Sequence, residues 1–165
     1  MTSIILADCS ASMSEMSGDQ RRIAALQQAL AEVRRDLPEA EVWCFNSVCF
    51  RSPDGHLPEP TGGTEVALAI RTISLRMPKK LVVISDGLPI STRSMDAAGD
   101  ALLAARNLAC EISTIFVGDE EDYAAIAFMR QLAWCSSDGI GSARVLTLAQ
   151  PKRLAHEVVL LLSAP

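Results

Sequence analysis

The sequence predicts an α/β fold: a doubly wound, mostly parallel central sheet of about six strands, with one antiparallel edge strand and helices on both faces. Short apolar runs typical of buried strands alternate with amphipathic helical segments along almost the whole chain. Two strand candidates lie so close together that they predict a hairpin, which supplies the antiparallel strand. The chain has 165 residues and is 49% hydrophobic, enough for a sizeable core. We therefore expect residues 1–165 to form a single domain.

Six short segments are predicted strands. The first is an apolar run closed by a polar turn. The fourth is a continuous apolar run followed by "SDGLP", as expected for a central strand of a parallel sheet. The second and third are separated only by Asn46 and form the hairpin. In chain order the predicted strands are Ser3–Ala7, Glu41–Phe45, Ser47–Arg51, Leu81–Ile84, Ile112–Val117 and Ala143–Leu148.

Five segments with a helical spacing of apolar residues separate or follow these strands. In the first of them, Ile23, Leu26 and Leu30 recur three and four residues apart, which places them on one face of a helix. The segment from Ser52 to Gly63 contains three prolines and three glycines and is predicted to be a loop. The predicted helices are Gln20–Asp36, a segment around Val66, Ile70 and Ile73 that ends before Pro78, Met95–Leu108, Asp122–Ala133, and a last helix opened by Pro151.

Charge and cysteine content argue against several classes of function. The net charge is −5 and the basic residues form only short pairs such as Lys79-Lys80, so the sequence lacks the basic face that nucleic acid attracts. The five cysteines form no C-x-x-C pair, which indicates free thiols in a reducing compartment. No apolar stretch is long enough to span a bilayer. We therefore expect a cytoplasmic protein that binds neither nucleic acid nor membrane.

Oxygen-bearing side chains follow the first and the central predicted strands. Asp8, Ser10 and Ser12 come directly after the first strand, and Asp86 follows the central one. In a doubly wound sheet, ligands bind outside the carboxyl ends of the strands. Two carboxylates at that edge repel each other unless a cation lies near them. Thr64 adds a hydroxyl at the start of a helix, after two glycines that allow the backbone to come close.

These residues on their own leave alternatives open. Asp8 and Ser10 are also typical of a strand-end turn that caps the next helix, and Asp86 of a common Asp-Gly turn. Thr61 competes with Thr64 as the hydroxyl donor, and we favour Thr64 because it follows the glycines directly and heads the helix. A magnesium ion, which prefers about six hard oxygen ligands, suits the combined set.

The segments "DCSASM" after the first strand, "GGTE" opening a helix and "VVISDG" ending a strand together resemble the von Willebrand factor A (VWA) domain family, of the bacterial or intracellular type. The resemblance covers nearly the whole chain. It implies a Rossmann-like VWA fold and an intact metal-ion-dependent adhesion site. There Ser10, Ser12 and Thr64 would contact Mg²⁺ directly, with Mn²⁺ or Ca²⁺ as substitutes. Asp8 and Asp86 would act mainly through waters or hydrogen bonds.

The resemblance also implies a function without catalysis, the binding of a protein partner whose Asp or Glu side chain completes the coordination of the metal. Partners of intracellular relatives include AAA+ ATPases and multiprotein assemblies. One alternative is a Mg²⁺-dependent phosphohydrolase, since an Asp after the first strand also begins such enzymes. Those enzymes need a second Asp two residues later, where this chain has Ser10. Another alternative is a VWA-fold scaffold that uses a different surface.

Overall fold

The strands and helices below belong to a computed structural model that describes residues 2–137, 139, 141–146 and 148–164. The strands in this part of the chain are β1 (Ser3–Asp8), β2 (Met16–Ser17), β3 (Gln20–Arg21), β4 (Glu41–Phe45), β5 (Cys49–Ser52), β6 (Lys80–Ser85), β7 (Glu111–Phe116) and β8 (Ala143–Val145). The α-helices are α1 (Arg22–Asp36), α2 (Val66–Ser74), α3 (Ala97–Arg106), α4 (Tyr123–Ala133) and α5 (Pro151–Ser163). A 3-10 turn covers Ala11–Ser14.

Six of the strands form one twisted sheet in the order β5-β4-β1-β6-β7-β8. All neighbours run parallel except β5, which pairs antiparallel with β4 at the edge. This confirms the predicted mostly parallel sheet with one antiparallel edge strand. Because β1 and β6 are parallel neighbours near the centre of the sheet, the polar residues that follow their carboxyl ends lie side by side.

The sheet separates two hydrophobic cores, which explains why its central strands are apolar on both sides. On one face Ile5 and Ala7 of β1 pack with helices α1 and α5. On the other face Ile4 and Leu6 pack with α2, α3 and α4. We call these the α1–α5 core and the α2–α4 core. A strand buried on both faces cannot alternate apolar and polar residues, as the continuous runs of β1 and β6 illustrate.

The first predicted helix begins two residues late, because the chain forms an additional hairpin before it. Helix α1 starts at Arg22 and not at Gln20, since β3 pairs antiparallel with β2. Gly18 adopts a positive φ of 66° in the turn between them. Two-residue strands give no periodic pattern, so this hairpin was not predicted from the sequence.

Other boundaries differ by one to three residues, and local hydrogen bonds explain some of the differences. The predicted strand Ser47–Arg51 is β5 at Cys49–Ser52, because Asn46 forms a turn through its bonds with Val48. Asp96 caps α3 by accepting from the Gly99 N–H, so that helix starts at Ala97. The predicted strand Ile112–Val117 is β7 at Glu111–Phe116, a shift of one residue, and the predicted helix Asp122–Ala133 is α4, which starts one residue later at Tyr123.

The last predicted strand, Ala143–Leu148, is shorter in the structure, where β8 ends at Val145. Part of that prediction, Thr147, lies outside the described residues. Within the described part of the chain, no helix has the length and apolar character required to cross a bilayer.

Candidate metal site

The predicted oxygen ligands converge at the carboxyl edge of the sheet. Asp8 is the last residue of β1. Ser10 directly precedes the 3-10 turn that follows, and Ser12 lies within it. Asp86 directly follows β6. Since β1 and β6 are neighbouring parallel strands, their last residues lie side by side. Thr64 reaches the same edge from the loop before α2.

Asp8 is fully buried and both of its carboxylate oxygens accept hydrogen bonds. Oδ1 accepts from the Ser10 backbone N–H at 2.8 Å, and Oδ2 accepts from Ser85 Oγ at 2.6 Å. The pKa of Asp8 is raised to about 6 by burial and by the nearby Asp86 carboxylate, and the hydrogen bonds from Ser85 and Ser10 oppose the rise. The repulsion between the two carboxylates that we expected from the sequence is therefore present.

A chain of short contacts links the two serines to the second carboxylate. Ser10 Oγ and Ser12 Oγ lie 3.2 Å apart, and Ser12 Oγ donates to Asp86 Oδ1 at 2.7 Å. Two neighbouring ligands of an octahedral magnesium ion are separated by about 3.0 Å, given ligand distances of about 2.1 Å. The spacing of the two hydroxyls therefore suits a hard dication. Because Ser12 donates its hydroxyl hydrogen to Asp86, Ser10 is the donor in the contact between the two hydroxyls, and the Ser12 oxygen keeps one lone pair for a cation.

Backbone hydrogen bonds hold the loop that carries Thr64 against the loop after β1. The Thr61 N–H donates to the Cys9 carbonyl at 3.0 Å, and the Ala11 N–H donates to the Gly62 carbonyl at 3.2 Å. Gly62 has a φ of +73°, and a Cβ at this position would come within 2.6 Å of Ser47 Oγ. A glycine is required here for both reasons. This agrees with the close backbone approach that the sequence analysis expected of the two glycines.

Three of the five predicted ligands line an open cleft of about 380 Å³, namely Ser12, Thr64 and Asp86. Asp8 and Ser10 are buried and do not line the cleft. The Thr64 hydroxyl makes no hydrogen bond to any described residue, whereas Thr61 is exposed and does not line the cleft. Thr64 therefore lies at the cleft and Thr61 does not, and the choice of Thr64 as the metal ligand stays a prediction. The remaining lining residues are Glu15, Arg22, Gly87, Leu88, Ile90, Asp119 and Asp122.

Three residues that contact this cluster, Ser85, Arg22 and Glu15, were not anticipated from the sequence. Ser85 bonds to Asp8, and its position directly before Asp86 was the available signal. Arg22 lies 2.9 Å from both Asp86 and Glu15. Its signal was an arginine at the start of a helix, where a cation is unfavourable next to the helix dipole.

The donor set is made of hydroxyls and carboxylates, not of the ligands that bind soft metals. In the described residues, no group of three or more His, Cys, Asp or Glu side chains is placed to hold a metal ion. Cys9, between Asp8 and Ser10, is buried in the α1–α5 core. Any metal here would therefore depend on Ser and Thr oxygens, which hard cations such as Mg²⁺ accept.

Comparison with known proteins shows the fold through structure and not through sequence. No protein-family model matches the chain, and no curated protein matches it. An aerotolerance-related membrane protein from Bacteroides fragilis, with multiple mutations to serines, aligns over 100% of both chains with a TM-score of 0.70 and 13% identity. The SpRpn10 VWA domain aligns over 94% of both chains, with a TM-score of 0.61 and 15% identity.

The chain has the VWA fold. A third match is the manganese-loaded TRAP protein of Plasmodium vivax, with 16% identity and a TM-score of 0.61 over 96% of this chain and 73% of that one. The residues of the three sequence motifs that were proposed as ligands follow β1 and β6 or precede α2. At such identities the likeness extends to the fold alone.

Proposed function

We propose that this VWA-fold chain is a metal-dependent protein-binding module. It would hold Mg²⁺ with Asp8, Ser10, Ser12, Thr64 and Asp86, with Mn²⁺ or Ca²⁺ as substitutes. An Asp or Glu side chain of a partner protein would complete the coordination of the metal. The observation that carries this proposal is the pair of hydroxyls of Ser10 and Ser12, which lie 3.2 Å apart, with Ser12 donating to the buried carboxylate of Asp86 in an open cleft.

The chemistry of the ligands favours capture of an anion over tight retention of the metal. Neutral hydroxyls leave most of the charge of a dication uncompensated, so the ion attracts a further carboxylate. The two acids, Asp8 and Asp86, are engaged by hydrogen bonds from Ser10, Ser85, Ser12 and Arg22. In the proposal these carboxylates orient the hydroxyls by hydrogen bonds and supply negative charge close to the metal. The manganese-loaded TRAP protein, which shares the fold, supports a divalent metal as the cofactor.

The remaining parts of the proposal concern the setting in which the module works. We propose a single domain that works in the cytoplasm as a subunit of a larger protein assembly, with an AAA+ ATPase as one candidate partner. The acidic net charge and the absence of a basic cluster in the sequence support a protein partner over nucleic acid.

Titration calorimetry with MgCl₂ tests the metal site directly. The wild type is expected to bind one ion, and Ser12→Ala to weaken binding at least about tenfold, because a ligand oxygen is lost. Ser14→Ala is the matched control, since Ser14 is exposed in the same 3-10 turn and bonds only to the Ala11 carbonyl. Likewise, Thr64→Val should weaken binding while Thr61→Val should not.

The same variants test partner capture. Crosslinking from the native cell should recover a partner with the wild type in Mg²⁺, and lose it with chelator or with Ser12→Ala. If the wild type binds neither Mg²⁺ nor Mn²⁺, or if capture is identical with chelator, the proposed function is wrong.

A further inference from the structure

Arg22, the first residue of α1, lies inside the candidate metal site. Its Nη1 is 2.9 Å from Asp86 Oδ2 and 2.9 Å from Glu15 Oε2. The side chain of Arg22 is 15% exposed and that of Asp86 only 1%, so this ion pair is largely shielded from water. A cation at a helix N-terminus is opposed by the helix dipole, so helix formation does not explain the arginine. Its carboxylate partners do.

The two oxygens of Asp86 are divided between Arg22 and the proposed metal ligands. Oδ1 accepts from Ser12 at 2.7 Å, and Oδ2 accepts from Arg22 at 2.9 Å. The guanidinium therefore contacts Asp86, itself one of the residues proposed to hold the metal, and Asp86 in turn accepts from Ser12, another of them. Arg22 is the one basic residue among the described residues that line the cleft, and Glu15, Asp119 and Asp122 add negative charge there.

We propose that Arg22 is an internal cation that competes with the divalent metal for Asp86 and thereby sets the metal affinity of the site. This inference rests on the proposed metal site. Without bound metal, Arg22 neutralises a carboxylate that is otherwise buried and unpaired, which stabilises the fold. Near a bound dication the same positive charge is repulsive and lowers affinity. A partner's carboxylate offsets that repulsion, so metal loading and partner binding are coupled.

Replacing the charge of Arg22 should move two measurements in opposite directions. Arg22→Gln is expected to lower the melting temperature in chelator by about 5 °C or more, because Asp86 loses its counter-charge. The same variant is expected to bind Mg²⁺ at least about tenfold more tightly in calorimetry. The melts of variant and wild type should then converge at saturating Mg²⁺. A merely structural ion pair would leave the affinity unchanged or weaken it.

Two further variants complete the test. Arg21→Gln is the matched control, because Arg21 is the adjacent arginine, is solvent-exposed and pairs with Glu59 away from the cleft. It should change neither measurement appreciably. Arg22→Lys keeps the charge, so its Mg²⁺ affinity should stay close to that of the wild type, and it preserves the test should Arg22→Gln not fold.

Each outcome bears on a different part of the inference. The proposed competition is wrong if neither Arg22→Gln nor Arg22→Lys binds Mg²⁺ more tightly than the wild type. If the melting temperature of Arg22→Gln in chelator is no lower than that of Arg21→Gln, Arg22 does not stabilise the fold as the counter-charge of Asp86. If only Arg22→Gln binds Mg²⁺, the proposed function of the wild type fails and the competition stands. If neither protein binds metal, both fail.

Discussion

At the scale of single residues, Asp8 combines full burial with a pKa raised to about 6. A folded-state pKa above the unfolded value of 3.8 means that the folded protein binds the proton more tightly. The free energy of unfolding in chelator should therefore fall by about 2 kcal/mol from this group as pH rises from 4 to 6. In Asp8→Asn this loss is absent, so the variant should be more stable than the wild type at pH 7. Urea unfolding across this pH range measures the difference.

Asp54→Asn is a control of opposite sign. Hydrogen bonds from the His56 N–H and from Ser52 lower the pKa of this exposed carboxyl. Asp54 therefore contributes stability above its unfolded pKa that is lost as pH falls. The Asp8 account is contradicted if Asp8→Asn follows the wild-type pH dependence, or if both variants shift it in the same direction.

The sequence predicted which residue types would gather, but not how they satisfy one another. Asp8, Ser10, Ser12 and Asp86 could be anticipated because the ends of parallel strands share an edge. The ion pair to Arg22 was not predicted: the arginine at the start of a helix was a signal, but its partner depends on where the unforeseen β2–β3 hairpin starts the helix. Whether these oxygens bind a metal stays a prediction.

At the scale of elements, Gly118 fixes how closely the end of β7 approaches the Asp86 backbone. A Cβ at Gly118 would lie 2.2 Å from the Asp86 carbonyl oxygen, a backbone atom that cannot rotate away. Gly118→Ala should therefore destabilise the protein by about 1–3 kcal/mol and weaken Mg²⁺ binding by displacing Asp86. Urea unfolding and calorimetry report the two effects.

Gly87→Ala serves as the comparison for this substitution. Gly87 is adjacent to Asp86, yet an added Cβ meets nothing within 4 Å. It should change stability and Mg²⁺ affinity much less than Gly118→Ala. Equal effects of the two variants would show that backbone crowding at Gly118 is not the cause.

Element type and order were predictable from sequence, whereas several ends were not. Apolar periodicity reports the buried face of a helix such as α1, and a continuous apolar run reports a strand such as β6 that is covered on both sides. The ends depend on single hydrogen bonds, such as the Asn46 turn and the Asp96 cap, which leave no periodic signal. The long predicted helices and central strands were accordingly the most accurate.

At the scale of the whole molecule, the sheet should couple the two cores into one cooperative unit. Leu26 lies in the α1–α5 core and Ile70 in the α2–α4 core, and both are fully buried. Leu26→Ala and Ile70→Ala should each cost about 2–5 kcal/mol. Each should shift a single unfolding transition, coincident by circular dichroism and tryptophan fluorescence. Leu160→Ala, at a half-exposed position of α5, should cost far less.

A biphasic transition in either core variant would contradict the expectation of a single domain. It would mean that one face of the sheet retains its packing while the other is lost. The expected coincidence follows from the central strands, whose side chains contribute to both cores at successive positions.

Both ends of the described chain lie far from the cleft. The Lys79 N–H donates to the Thr2 carbonyl, and Lys80 Nζ donates to the Ala164 carbonyl, all at the start of β6. Asp86 follows the other end of that strand, about 20 Å away. A tag, surface anchor or fluorescent label attached at either terminus should therefore leave the cleft facing solution. Biosensor immobilisation through either end is consequently a suitable geometry for screening ligands.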